Sequence, residues 1–211
     1  MYRVTPQLMS FEEFLEWHPD DGSIFELING VPIPHGGRSA NEMNPTGEHE
    51  EISGFLSGIL FAEIGRLNLP YSVSRTATVR PRREGYGHKP DAIICDRTLL
   101  NLEPDWRRSS TIQNGNTVKL IIEVVSTNWR DDYLTKFADY EELGIPEYWI
   151  VDYAGLGGRR FIGNPKQPTL SINILIDGEY QTQIYRDLSQ IHSSIFPELK
   201  LTANEIFHQR V

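Results

Sequence analysis

The chain is short of cysteine, of long apolar runs and of positive charge. Its 211 residues include 20 lysines and arginines against 29 aspartates and glutamates, which gives a formal net charge of −9. Sequence-independent binding along a nucleic-acid backbone needs clustered basic residues, so this balance argues against a general phosphate-backbone coat. It does not exclude an enzyme that concentrates acids at a metal site, and Arg80, Arg82, Arg83 and Lys89 still cluster just before Asp91.

The single cysteine, Cys95, excludes an intramolecular disulfide and a thiolate metal cluster. Its place in the apolar run AIIC predicts a small buried hydrophobic residue. No apolar run reaches the roughly 20 residues that a membrane span requires, and the N-terminus lacks the layout of a signal peptide. We therefore expect a cytoplasmic protein without a membrane partner. Apolar residues make up 39% of the chain, enough for one core, and we expect a single domain over residues 1–211.

Residues 119–153 are predicted to form a strand, a helix and a second strand. Residues 120–125 are apolar except for Glu123, a pattern typical of a central strand covered on both faces. The following helix ends at Gly144, a natural residue for a helix C-terminus. Residues 148–151 form the second apolar strand. Two such strands joined by a helical crossover favour parallel pairing.

Other elements are predicted from caps, turns and periodicity. They are a helix over residues 11–18 with a Ser10/Glu13 capping box, a hairpin over 24–33 around Asn29-Gly30, a helix over 48–67, a strand over 71–80, a hairpin of residues 171–176 and 179–185 around Asp177-Gly178, and a last helix from Thr202. Residues 36–47 and 96–119 are predicted as irregular connections.

Asp91 and Glu123 are the leading candidates for a metal site. Pro90 can only open a strand or lie at its edge, so Asp91 is predicted at the start of a strand. If that strand neighbours the one containing Glu123, their backbones are about 4.8 Å apart, and the two carboxylates could share one divalent ion. Such an ion activates water and neutralises charge on a phosphodiester. Lys136, on the following helix, could orient that water or stabilise the transition state.

Each of these residues also has a purely structural interpretation. Asp91 could cap a turn, and the head of Glu123 could reach water at the rim of the sheet. Lys136 could pair with Asp132, four residues earlier, on a solvated helix face, where such a pair contributes only about 0.2 to 0.5 kcal/mol.

Two further polar residues have weaker signals. Glu26 lies within a predicted half-buried strand, where a glutamate most often faces solvent. His49 lies in the first turn of a predicted helix, where partial exposure is favoured over contact with a phosphate or a site water. Tyr148 and Trp149 are predicted to be core residues, because large aromatics in an apolar strand usually pack.

Several short motifs follow one another in a distinctive order along nearly the whole chain. They are Phe25-Glu26-Leu27-Ile28-Asn29-Gly30, His49, Pro90-Asp91-Ala92, Glu123-Val124-Val125-Ser126, Lys136, Tyr140, Gly144-Ile145-Pro146-Glu147-Tyr148-Trp149-Ile150-Val151-Asp152 and Phe196-Pro197-Glu198-Leu199. With these motifs the chain resembles the Uma-type family of proposed restriction endonucleases, within the PD-(D/E)XK nuclease superfamily.

The resemblance implies an α/β fold with a restriction-endonuclease-like core, in which helices flank a mixed central β-sheet, with an added antiparallel C-terminal hairpin. It also implies hydrolysis of DNA with Mg²⁺, for which Mn²⁺ may substitute, and often a homodimer. Position by position, Asp91 and Glu123 resemble the metal-binding acids, Lys136 the catalytic lysine and Glu26 an additional acid.

The sequence departs from the superfamily pattern in two places. Val125 stands two residues after Glu123, where the superfamily has its lysine, so the resemblance transfers that role to Lys136 on the next helix. Glu48 precedes His49 where family members more usually have glycine, which weakens a role for His49.

The leading hypothesis is therefore a Mg²⁺-dependent endonuclease acting on DNA. A rival is a non-catalytic module that keeps the nuclease fold to bind a protein or a nucleic acid, which the net acidity and the lack of an obvious DNA-reading motif favour. A third is a phosphodiesterase for RNA or a branched DNA junction. Metal affinity at Asp91 and Glu123 discriminates the first two.

Overall fold

A computed structural model describes residues 8–17, 23–34 and 46–210 of the chain. The helices are α1 (Phe11–Glu16), α2 (Gly47–Arg66), α3 (Arg97–Leu100), α4 (Trp106–Ser109), α5 (Lys136–Leu143), α6 (Arg159–Ile162) and α7 (Ala203–His208). The strands are β1 (Phe25–Ile28), β2 (Val31–Pro34), β3 (Tyr71–Ser74), β4 (Thr78–Val79), β5 (Ala92–Asp96), β6 (Thr111–Ile112), β7 (Val118–Val124), β8 (Glu147–Asp152), β9 (Thr169–Ile176) and β10 (Glu179–Tyr185). None of the described helices is long and apolar enough to cross a membrane.

A six-stranded mixed sheet forms the centre of the fold, in the order β10-β9-β8-β7-β5-β3. β7 and β8 pair in parallel and are joined through α5, which confirms the predicted strand, helix and strand. The other neighbours in this sheet are antiparallel. The β9–β10 hairpin turns at Asp177-Gly178, where both residues have positive φ as a tight hairpin requires. This predicted C-terminal hairpin exists, and it extends the central sheet at one edge.

The two faces of the sheet are covered by different helices. On one face α2 and α7 pack Leu56, Leu60 and Ile206 against Trp149 and neighbouring residues. On the other face α5 packs against the side of the sheet that bears Tyr148. Because successive strand residues point to opposite faces, Tyr148 and Trp149 enter different cores, and both are fully buried as predicted.

The N-terminal part forms a small unit of α1 and the β1–β2 hairpin. The Ser10/Glu13 capping box is present, and α1 ends at Glu16. Leu27 and Gly87 exchange two backbone hydrogen bonds of 2.9 Å, which tie the hairpin to the segment before β5. A side chain at Gly87 would lie 2.6 Å from the Phe11 ring, so this close approach requires glycine. The small unit therefore places β1 beside the start of β5.

Two predicted segments fall partly outside the described residues. His18, the predicted last residue of the first helix, lies outside them. So do residues 35–45 of the predicted connection at 36–47. Gly47, the last residue of that connection, instead begins α2, where the Thr46 side chain accepts a hydrogen bond from the His49 backbone.

The predicted strand over residues 71–80 is confirmed only at Tyr71–Ser74 and Thr78–Val79, because the chain leaves the main sheet after β3. β3 pairs with β5 at the edge of the main sheet, whereas β4 pairs with β6 in a separate two-stranded sheet. The break falls at Arg75, whose guanidinium bonds Glu50 and Ser53 of α2.

The predicted irregular connection at 96–119 is more ordered than its composition indicates. It contains α3, α4, β6 and a 3₁₀ turn at Gly115–Thr117. The buried Glu103 carboxylate accepts hydrogen bonds from the backbone N–H groups of Gln113 and Asn114. This segment is therefore held together by hydrogen bonds to a buried polar residue. Such an arrangement leaves no hydrophobic periodicity in the sequence.

Candidate functional site

Asp91 and Glu123 meet at one rim of the central sheet. In the antiparallel β5–β7 ladder Ala92 pairs with Ile122, so the register continued by one residue places Asp91 opposite Glu123. The Val124 N–H donates a 2.7 Å hydrogen bond to Asp91 Oδ2. The two strands are neighbours, as the metal-site hypothesis required. Strand alternation places Glu123 on the face covered by α5.

Lys136 brings three carboxylates together at this rim. Its Nζ lies 2.9 Å from Glu123 Oε2, 3.4 Å from Asp132 Oδ1 and 3.8 Å from Glu26 Oε1. The lysine is 7% exposed and the carboxylate residues are buried as well. The structure thus assembles the four residues singled out from the sequence, Glu26, Asp91, Glu123 and Lys136, in one buried cluster.

A π-helical turn at Asp131–Thr135 presents both Asp132 and Lys136 to the cluster. The Lys136 backbone N–H donates to the Asp131 carbonyl, five residues earlier, and α5 then continues regularly. Turns of this kind are rare and often occur at functional sites. The interpretation of the Asp132–Lys136 pair as a solvated surface pair was wrong, because this side of the turn faces the sheet. The spacing of four residues was the available signal for Asp132.

Negative charge exceeds positive charge inside the cluster, and the acid pKa values reflect this. Burial raises the pKa of Glu123 well above its usual range; Lys136 opposes the shift, and the charges of Asp91, Asp132 and Glu26 reinforce it. Burial likewise raises the pKa of Asp132 to about 6, against the opposing charge of Lys136. For Lys136, burial alone would lower the pKa, but the surrounding carboxylates outweigh it and raise the pKa well above its usual value. The surrounding carboxylates therefore favour the protonated form of the lysine.

His49 contacts Asp91 from the first turn of α2. Its Nε2 lies 3.4 Å from Asp91 Oδ2, and the residue is buried, so the prediction of partial exposure was wrong. The cap at Thr46 begins α2 at a point where the first turn faces the start of β5. Burial would lower the pKa of His49, but Asp91 outweighs it and the net shift is upward. For Asp91, burial raises the pKa, but the contacts with His49 and the Val124 N–H outweigh it and the net shift is downward.

Tyr140 and Lys89 complete the hydrogen bonding of the carboxylates. The Tyr140 hydroxyl donates a 2.9 Å hydrogen bond to Glu123 Oε1, so both oxygens of Glu123 are engaged. The Lys89 backbone N–H donates a 2.7 Å hydrogen bond to Glu26 Oε1. Glu26 is buried, so the structure contradicts the expectation that it faces solvent. Tyr140 was named only among the motifs that carry the family resemblance, and its bond to Glu123 has no sequence signal of its own.

The donor chemistry of the cluster fits a hard divalent cation. Carboxylate oxygens are the protein ligands that Mg²⁺ and Mn²⁺ prefer, and the unbalanced negative charge favours an added cation. Across residues 8–17, 23–34 and 46–210, no three His, Cys, Asp or Glu side chains are arranged to hold one metal ion. Magnesium commonly uses one or two carboxylates and completes its shell with water and substrate phosphate. Asp91 and Glu123 provide two carboxylates at one rim of the sheet.

Comparisons with known proteins agree with this architecture. The model of the Uma2 family, described as "Putative restriction endonuclease", matches residues 11–204. A crystal structure of a "putative nuclease belonging to DUF820" from Anabaena variabilis superposes with a TM-score of 0.68, covering 95% of this chain and 98% of that chain at 14% identity. At that identity the likeness concerns the fold, and it agrees with the predicted α/β class. A search of curated proteins found no match.

Proposed function

The chain belongs to the Uma2 family, and from this membership we propose that it is a Mg²⁺-dependent endonuclease that hydrolyses phosphodiester bonds in DNA. Mn²⁺ would substitute for Mg²⁺. One observation supports the proposal above others: the buried carboxylates of Glu26, Glu123 and Asp132 surround a single lysine, and a fourth buried carboxylate, that of Asp91, lies on the neighbouring strand opposite Glu123. A cluster with this excess of negative charge is costly unless a cation joins it.

Asp91 and Glu123 would hold the cation. When bound, the cation would supply the positive charge that activates a water molecule and neutralises charge developing on the phosphate. His49 holds one oxygen of Asp91, together with the Val124 N–H, and so fixes the orientation of that carboxylate. Tyr140 does the same for Glu123.

Lys136 would act as a fixed positive charge and hydrogen-bond donor. Its raised pKa keeps it protonated at neutral pH, so it is unsuited to accept a proton from water. An ammonium at this place can donate to the attacking water or to a phosphoryl oxygen and stabilise the transition state. Glu26 would support the site by offsetting the charge of Lys136 and by joining the N-terminal hairpin to the Lys89 backbone.

A non-catalytic nuclease-fold module is the second candidate, and one observation favours it. The Lys136 ammonium already lies within 4 Å of three carboxylates, as an internal cation would. In such a module the lysine would satisfy the acids without metal, and the surface would bind a protein or a nucleic acid. The two candidates differ in whether the cluster binds a divalent ion.

Calorimetric titration of Mn²⁺, followed by a plasmid-nicking assay on the same samples, tests the proposal. The informative variant is Glu123→Gln, which removes one charge and keeps the shape. Glu142→Gln is its matched control, because it makes the same change of charge at an exposed glutamate of α5. We expect binding and nicking in the wild type and in the control, and neither in Glu123→Gln. A wild type that binds no Mn²⁺ would support the module instead, and binding without nicking would refute DNA hydrolysis.

A further inference from the structure

A cluster of arginines and aromatic rings lies next to the acidic site. We call Trp129, Arg130, Arg159, Arg160 and Phe161 the arginine–aromatic patch. Arg130 Cζ lies 4.6 Å from the centre of the Trp129 ring, and Arg160 Cζ lies 4.4 Å from that of Phe161. The two rings meet edge to face with centroids 6.2 Å apart. The three arginines are exposed, and the rings are partly exposed.

The guanidinium groups of the patch have no carboxylate partner among the described residues, unlike those of Arg66 and Arg75, which pair with glutamates. A guanidinium that stacks on a ring keeps its N–H groups directed outward in its own plane, where they can bind phosphate oxygens in pairs. In a chain with a net charge of −9, three arginines that lack a carboxylate partner in the described part of the chain form a local positive surface.

The patch is joined to the site by one layer of aromatic packing. Phe161 stacks on Tyr133, with centroids 4.7 Å apart and ring planes 26° apart. Tyr133 directly follows Asp132 in the π-helical turn, and Arg130 immediately precedes that turn. The acidic site and the patch therefore share the π-helical turn, which contributes Asp132 to the one and directly follows Arg130 of the other.

The segment that bears Arg159 and Arg160 is held rigidly. The buried Asp152 carboxylate accepts hydrogen bonds of 2.8 Å and 2.7 Å from the N–H groups of Leu156 and Gly157. A side chain at Gly158 would lie 2.8 Å from the Trp129 ring, so glycine allows the two segments to touch. At the other end of α6, Arg186 donates to the Ile162 carbonyl at 3.0 Å. The patch is thus formed before any ligand arrives.

We propose that the arginine–aromatic patch binds the phosphate backbone of duplex DNA beside the scissile phosphate. The proposal rests on the proposed nuclease function, and it names the surface that positions the substrate. It also reconciles an acidic chain with an anionic ligand, because phosphate contacts require only a local group of arginines.

The test is DNA binding measured without cleavage. The probe is a fluorescein-labelled duplex of about 30 base pairs, with Ca²⁺ in place of Mg²⁺, titrated by anisotropy over about 50 to 300 mM NaCl. Each lost phosphate contact lowers the slope of log affinity against log salt concentration by about 0.9 for duplex DNA. For Arg130→Gln/Arg159→Gln/Arg160→Gln we expect a slope smaller by about 2 to 3 and at least about tenfold weaker binding at about 100 mM salt.

The control triple variant is Arg97→Gln/Arg107→Gln/Arg108→Gln, which makes the same change in net charge at exposed arginines of α3 and α4. Circular dichroism checks that both variants fold. An unchanged slope in the patch variant, an equal decrease in both variants, or a wild type that does not bind the duplex would overturn the inference. Because the readout needs no cleavage, a protein that binds through the patch but never nicks DNA would refute only the nuclease proposal.

Discussion

Replacing Asp132 with asparagine should stabilise the metal-free protein. Burial raises the pKa of this carboxyl from an ordinary 3.8 to about 6; Lys136 opposes the shift, and Asp91 and Glu26 add to it. The folded state therefore binds the proton more tightly than the unfolded chain does. This tighter proton binding adds to the free energy of unfolding; the contribution is fully present below about pH 4 and is lost as the pH rises through about 6. Above that range the native protein contains a carboxylate that opposes folding.

The size of the effect follows from the pKa difference. One pKa unit corresponds to about 1.4 kcal/mol, so a shift of about two units amounts to about 3 kcal/mol. Asparagine has nearly the same shape and stays neutral, so it resembles the protonated acid at every pH. The free energy of unfolding of Asp132→Asn should thus match that of the wild type near pH 4 and exceed it by up to about 3 kcal/mol near pH 8.

Urea unfolding in a chelator at about pH 4 and about pH 8 measures the difference. Asp177→Asn is the control, because Asp177 is exposed in the β9–β10 turn with φ 53°, a conformation that asparagine tolerates. It should change stability by less than about 0.5 kcal/mol. Adding Mg²⁺ at pH 8 should stabilise the wild type and reduce the gap. An Asp132→Asn variant that is less stable than the wild type at pH 8, or that gains equally at both pH values, would refute the reasoning.

Three further changes have expected outcomes that urea unfolding can check. Lys136→Met leaves the buried carboxylates around it without a positive charge, so it should lower the free energy of unfolding by about 3 to 5 kcal/mol at about pH 8. The loss should be smaller at about pH 5, where the acids take up protons. An equal loss at the two pH values would contradict this reasoning. Gly115→Ala should lower the free energy of unfolding by about 2 kcal/mol or more, because the added Cβ would overlap the Leu143 carbonyl oxygen. Its control is Gly65→Ala on α2, where a Cβ meets nothing within 4 Å, and this change should raise the free energy of unfolding by about 0.5 to 1 kcal/mol. The opposite order of the two effects would contradict the close approach at Gly115. Tyr140→Phe should lower the free energy of unfolding by about 1 kcal/mol, because it removes the hydrogen bond to Glu123. An unchanged free energy of unfolding would show that this bond does not stabilise the fold.

Local sequence rules predicted those elements whose stability is local. The two hairpins turn at Asn29-Gly30 and Asp177-Gly178, where positive φ selects the residues. Short helices begin after Ser10 and after Thr202 as predicted, and a capping box is present at each start. The strand predicted over residues 71–80 is two short strands, because alternation alone does not show where a strand changes its partner. At the break Arg75 contacts α2, and such a contact between residues distant in the sequence has no local signal.

The positions of Asp91 and Glu123 relative to their strands were predicted correctly, whereas the predicted exposure of other site residues was wrong. The apolar surroundings of Glu123 and the Pro90-Asp91 step were enough to place one carboxylate within a strand and the other at the start of a strand. That the two strands are neighbours was a condition of the metal-site hypothesis, and the structure meets it. His49 and Asp132 were both judged from their own helices, on which each is compatible with exposure. Their burial arises from what packs over them, namely the start of β5 and the rim of β7. Tertiary packing of this kind has no local periodicity to reveal it.

The π-helical turn at Asp131–Thr135 holds one residue more than an α-helical turn. Because the extra residue is taken up within the turn, deleting one residue there would restore a regular helix and leave the segments on either side in nearly the same orientation. The same deletion inside Lys136–Leu143 would instead rotate the preceding positions by roughly 100° relative to the rest of α5. In a deletion scan the protein should therefore fold when the residue is lost from the turn and fail to fold when it is lost from α5. Loss of nicking in a turn deletion that still folds would show that the extra residue serves the site, because this turn presents Asp132 and Lys136 to the cluster.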